Sequence, residues 1–135
     1  MTPYVDGYVL PISKDKLTAY QAMASNAGKI WMKHGALAYY ECVGDDLNPH
    51  FAEEHTDGGK MKLSAFPDIM KTGPDETVIF AFVIYESRED RDAVNAKVMA
   101  DPEMAAGMGE DFEMPMDPSR MAYAGFRSIV HYEKG

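Results

Sequence analysis

Strand, helix, strand, strand, helix, strand is the order of elements legible along the 135 residues, and it predicts an α+β fold. The expected architecture is a ferredoxin-like β-α-β-β-α-β sheet with both helices on one face. Three observations lead there. Four short segments are dense in β-formers, and the third, TVIFAFVIY at residues 77–85, is apolar almost throughout. Two longer segments carry apolar residues at spacings of three and four, the period of a helix. Each helical segment follows a strand, so the chain reads as a doubled unit.

The first strand spans residues 4–12, YVDGYVLPI, with Pro11 marking an edge position or an early stop. Ser13 is placed to cap the helix that follows. From there to Lys33 the chain has no proline and one glycine, Gly28. Leu17, Tyr20, Ala24, Ala27, Trp31 and His34 fall on one helical face, and Gly35 is the expected residue just past the helix end. The second strand is ALAYYECV, residues 36–43. Residues 44–75 form an irregular insertion rich in glycine and proline, with short helical turns expected around 50–55 and 66–71. After the third strand, Ser87 caps the second helix, while Glu89 and Asp90 complement its dipole. Val94 and Val98 carry that helix to about Ala100, ahead of Asp101-Pro102. Residues 103–120 are expected to be a loop, and residues 121–132, MAYAGFRSIVHY, the fourth strand.

The third strand also bears on assembly. Val78, Phe80, Phe82 and Ile84 point to one face, and Ile79, Ala81, Val83 and Tyr85 to the other. Two helices cover only one face. In the fourth strand Phe126 and Val130 oppose Met121, Tyr123 and Ile129 in the same way. A soluble monomer rarely exposes that much apolar sheet. The expected cover is the same face of a second subunit, giving a two-fold homodimer with a barrel-like core. The competing cover is the insertion at 44–75 or the Met-rich loop, folded over the open face within one chain.

Composition bounds the rest. With 46% hydrophobic and 26% charged residues, the chain is expected to form a single globular domain over 1–135. Its net charge of -9, from 22 acidic and 13 scattered basic residues, argues against nucleic-acid and anionic-membrane partners. One cysteine, Cys42, excludes an intrachain disulfide, and it is expected to be buried and unactivated. No basic-then-apolar leader or membrane-length run is visible, so the expected location is the cytoplasm.

GDD, then DETVIFAFVIYESREDRDAVNAKVMADPEM, then MPMDPSRMAYAGF together resemble the YbaA-like family, small bacterial proteins of unknown function. The resemblance runs over most of the chain in the same order. It implies a fold similar to the dimeric α+β barrel superfamily, which includes cofactor-free monooxygenases, isomerases and haem-handling enzymes, and hence a homodimer. It implies no activity, because a shared fold does not fix function. Two features depart from the family pattern. Met116 stands where an aromatic is expected in MPMD, and NPHFAEEHTDGG, residues 48–59, is longer and richer in His and Glu than the usual link.

Candidate sites follow from residue types. His50, Glu54 and His55 are metal ligands by chemistry. However, the histidines lie five apart rather than four, which splays them on a helix, so a solvated acidic loop is expected and no metal. Trp31 and His34, three apart on the first helix, suit a haem ligand or a general base beside a flat substrate. They equally suit a core anchor and a residue that favours the helix C-terminal dipole, which is the preferred reading. Tyr39, Glu41 and Arg127 are polar residues on apolar strands. Pointing between sheet and helices, they would line a pocket, orient an anion or act as acid and base; pointing outward, they are structural. The SREDRD helix start is expected to be solvated, with Arg88 or Arg91 paired to nearby carboxylates for ~0–1 kcal/mol. Asp117 and Arg120 are placed to pin the loop before the last strand. Six methionines between 99 and 121 suit either a mobile lid or gap-filling.

Three functional readings remain open at this point. The first is a cofactor-free, monooxygenase- or isomerase-like enzyme acting on a modest organic molecule in a pocket between sheet and helices. The second is a non-catalytic small-molecule binder using that pocket. The third is a structural or interaction protein.

Overall fold

Alternation along the strands decides which side of the sheet the helices take. The computed structural model describes residues 2–49, 63–107 and 112–135. In chain order these residues form β1 (Tyr4–Ser13), a 3-10 turn (Lys14–Lys16), α1 (Leu17–Lys33), β2 (Ala38–Val43) and α2 (Phe66–Met70). Then come β3 (Glu76–Tyr85), α3 (Arg88–Ala100), α4 (Pro102–Ala106), a 3-10 turn (Pro118–Arg120) and β4 (Ala122–Arg127). The four strands make one antiparallel sheet in the order β2-β3-β1-β4, the order expected of a ferredoxin-like chain.

Register assigns the faces. Leu10 lies opposite Ile79, Tyr8 opposite Ala81 and Asp6 opposite Val83. Those residues face α1 and α3 and feed two buried clusters on that side. One joins Leu10, Ile12, Ile79 and Ala81 to Tyr20 and Ala24 of α1. The other joins Val83 and Tyr85 to Ile30, Ala36, Val94 and Val98. The opposite face, from Val5 to Pro11 and from Val78 to Ile84, carries no charged side chain. There Phe80 is 45% exposed, Tyr40 50% and Phe126 56%. Tyr40 stacks on Phe82 with ring centroids 4.7 Å apart, and Phe66 of α2 meets Phe80 edge-on at 6.2 Å.

Several elements match expectation and others differ. Gly35 adopts φ +117° just past α1, a conformation that favours glycine. The Ser87 hydroxyl accepts from the Asp90 N–H and caps α3. Ser13 makes no side-chain cap, because a 3-10 turn separates it from α1. Residues 103–120 are not wholly a loop: α4 occupies Pro102–Ala106, capped by Asp101, and a 3-10 turn precedes β4. β4 ends at Arg127 rather than near 132, since Ser128 N–H already bonds Pro3 C=O and β1 starts at Tyr4. Ile129 and Val130 are consequently exposed rather than paired. Cys42 is exposed on the open face opposite Phe80, not buried. The helical turn expected at 66–71 is present as α2, whereas that expected at 50–55 lies outside the described residues. Among the described residues no helix is long and apolar enough to cross a membrane.

One buried ion pair ties α3 to the sheet. Asp6 is fully buried, and its Oδ1 accepts from Arg91 Nη1 at 2.8 Å. Arg91 also donates to Tyr123 Oη, pairs with Asp92 and lies over the Tyr4 ring. The SREDRD start is thus more than a solvated face, because Arg91 reaches inward. Asp6 Oδ2 is buried with no hydrogen-bond partner among the described residues, so the carboxylate depends on Arg91. Replacing Arg91 by Met is expected to lower unfolding free energy by about 3 kcal/mol, because a buried carboxylate loses its ion. Urea denaturation measures it; the Asp6→Asn/Arg91→Met double variant should recover part of the loss, and an unchanged single variant would contradict the assignment.

Candidate functional site

A cleft opens between α1 and the β2 edge of the sheet. It encloses about 380 Å³ and is lined by Leu17, Tyr20, Gln21, Ala24, Ser25 and Gly28 of α1 together with Tyr39, Glu41, Val43 and Ile79. Helical spacing puts Leu17, Tyr20, Ala24 and Gly28 on one face of α1. Strand alternation puts Tyr39, Glu41 and Val43 on the helix side of β2. A wider concavity of about 700 Å³ continues past Gly28 and Tyr39 along the outer rim, next to Lys29, Met32 and Tyr40. It is the larger space, but it is shallow and carries no convergent polar groups.

Glu41 is the polar centre of the cleft. Tyr20 Oη donates to its Oε1 at 2.7 Å, and Tyr39 Oη donates to its Oε2 at 2.7 Å. Burial, and then the hydrogen bond to Glu41, push both phenols above their ordinary range. They therefore stay protonated at neutral pH and act as donors. The carboxylate is held on both sides, with a lone pair on each oxygen beyond those bonds.

Gly28 makes this arrangement possible. A Cβ at that position would stand 2.8 Å from Tyr39 Cδ1. Glycine inside a helix costs about 1 kcal/mol relative to alanine, and here it lets the Tyr39 ring lie against the helix backbone. Behind Tyr39 stands Trp31, with ring centroids 6.1 Å apart. Its Nε1 donates to Tyr85 Oη at 3.0 Å and Asn95 Oδ1 at 3.1 Å. Trp31 thus props the wall from the core and does not line the cleft.

Of the site residues expected from sequence, the structure brings together Tyr39 and Glu41. Arg127 is not with them: it is exposed on β4, at the opposite edge of the sheet from β2. Within one chain, strand order therefore does not bring Glu41 and Arg127 together as an acid–base or anion-orienting pair. His34 is turned away as well. Its Nε2 lies 2.6 Å from Asp101 Oδ2, which also receives Lys33 Nζ at 2.9 Å. The Lys33 ammonium, then the His34 ring and the Glu103 N–H, hold the Asp101 carboxyl well below the usual carboxylate range. That cluster ties the end of α1 to the start of α4. Arg120 pairs with Glu76 rather than Asp117, and Asp117 accepts from Ser119. Met116 and Met121 pack against the first core cluster and Met104 against the second, filling gaps. His50, Glu54 and His55 lie outside the described residues. Among the described residues no three His, Cys, Asp or Glu side chains group as metal ligands would. Tyr20 and Gly28 join the site as well, and the sequence signal for it is the lone helix-interior glycine, which marks a close approach.

Fold and cleft define a small α+β protein with a ferredoxin-like sheet and one polar, aromatic-walled recess under its first helix. The chain belongs to the family described as "Protein of unknown function (DUF1428)", which it matches over residues 3–118. It is 39% identical over 127 residues to the uncharacterised protein YbaA of Escherichia coli K12, covering 94% of this chain and 97% of that one. The YbaA of Shigella flexneri is similar to the same extent. Among solved structures, a NIPSNAP-family protein of unknown function from Agrobacterium tumefaciens superposes with a TM-score of 0.52 at 14% identity, over 93% of this chain and 87% of that one. That likeness concerns the fold alone.

Gly28→Ala, which should help an exposed helix, is expected to lower the melting temperature here because Tyr39 must leave its place against Glu41. Thermal melting checks this, and a raised melting temperature would contradict the close approach.

Proposed function

We propose that the chain is a homodimeric α+β barrel protein that binds a small organic molecule between α1 and the sheet, with Glu41 receiving a proton or hydrogen bond from the ligand. The observation that carries the reading is the Glu41 carboxylate held by two neutral phenols at 2.7 Å inside a cleft of about 380 Å³. That volume lies within the span of small-ligand sites, about 300–1,000 Å³. A positioned carboxylate beside apolar walls suits general-base chemistry. It favours a cofactor-free enzyme of the isomerase, proton-transfer type over the monooxygenase type. Non-catalytic binding in the same cleft is the second reading, and the absence of Arg127 from the cleft favours it, since no opposing acid stands across from Glu41.

The dimer rests on the open face. Uncharged from Val5 to Pro11 and from Val78 to Ile84, it exposes Phe80, Tyr40 and Phe126 to an extent that suits an isologous sheet-on-sheet contact. Covering of this face by the chain's own insertion predicts a monomer instead.

Glu41→Gln is expected to keep the fold and to abolish turnover or weaken ligand binding by about tenfold, the worth of one hydrogen bond to a charged group. Fragment screening by NMR against both proteins reads this; equal binding would remove Glu41 from the site. Phe82→Glu places a charge in the middle of the open face and is expected to convert the dimer to a folded monomer, as read by size-exclusion chromatography with light scattering. An unchanged assembly state would show that this face is not the interface.

A further inference from the structure

The donor–acceptor balance of the cleft limits what it can hold. Both phenolic protons are spent on Glu41, one on each oxygen. Tyr20 and Tyr39 therefore offer a ligand only acceptor lone pairs, as does the carboxylate between them. No Lys, Arg or His lines the cleft. Lys29 is beyond Gly28 in the wider concavity. Arg127 is at the other edge of the sheet, and His34 is engaged by Asp101. Of the remaining walls, Leu17, Ala24, Val43 and Ile79 are apolar, and Gln21 and Ser25, both exposed, add only neutral polar groups. A ligand that seals this cleft removes water from Glu41, and a buried carboxylate without a counter-charge is costly.

We propose that the ligand class is a small organic amine, cationic at neutral pH, with an apolar or aromatic body. This rests on the reading of the cleft as a ligand site. The ammonium supplies the N–H donors that Glu41, Tyr20 and Tyr39 together lack, and its charge offsets the carboxylate when solvent is excluded. The body lies along Leu17, Ala24 and Ile79. A carboxylate or phosphate ligand meets like charge at Glu41, and no cationic donor, only the neutral Gln21 and Ser25, to offset it. A metal cation meets one carboxylate, too few ligands for a dedicated site.

Benzylamine, benzyl alcohol and benzoate share one body and differ in charge, so they serve as probes. Each is titrated into the full-length protein at neutral pH and fixed ionic strength, with NMR shifts read at Glu41 and Tyr39. Benzylamine is expected to bind about tenfold tighter than benzyl alcohol, because its ammonium adds an opposite charge to the hydrogen bond that both can donate to Glu41. Benzoate is expected not to bind. In Glu41→Gln, the preference for benzylamine over benzyl alcohol should vanish. The wild-type comparison stands even if that variant does not fold. Equal binding of all three, or preference for benzoate, overturns the amine assignment and leaves the cleft as a ligand site. No shift at these residues with any probe overturns both.

Discussion

Two helices cannot cover both faces of a four-stranded sheet whose central strands are apolar on each side. That constraint organises the molecule. α1 and α3 take the face of Leu10, Ile79, Ala81 and Val83, and both core clusters form there. The other face keeps Phe80, Phe82, Tyr40 and Phe126, with α2 at its rim among the described residues. Hydrophobic burial scales with area removed from water, and that is the ground on which a dimer is proposed.

On the covered side, polar groups gather in separate clusters. Asp6 meets Arg91, and Glu41 meets Tyr20 and Tyr39. Trp31, Tyr85 and Asn95 close a triangle between α1, β3 and α3. Tyrosine suits this layer because its ring fills core volume while its hydroxyl answers a buried acceptor. The carboxylate at Glu41 differs from the others in its setting. Asp6 is sealed, whereas Glu41 lines open space, so it alone among these clusters is placed to meet a molecule from solution.

Much of the fold was legible because periodicity reports burial. TVIFAFVIY announced a strand apolar on both faces, and the α1 spacing found Tyr20 and Ala24, while Gly28 and Ile30 complete the buried side of the helix. Tyr39 and Glu41 sharing a face followed from alternation. Arg127 could not be placed relative to Glu41 because strand alternation fixes a face but not a distance across the sheet; only the order β2-β3-β1-β4 separates them. Asp6 with Arg91 lay 85 residues apart in sequence, and no local rule links them. Strand cysteines are usually buried, yet the parity of Cys42 puts it on the open face. α4 escaped notice because a five-residue helix is too short to display a period.

The central claim is that a second copy of the chain covers the open face, and native mass spectrometry of the untagged protein at micromolar concentration tests it most directly. The account predicts a particle of two chains. A particle of one chain, folded and stable, would contradict it and would mean that the apolar face is covered from within.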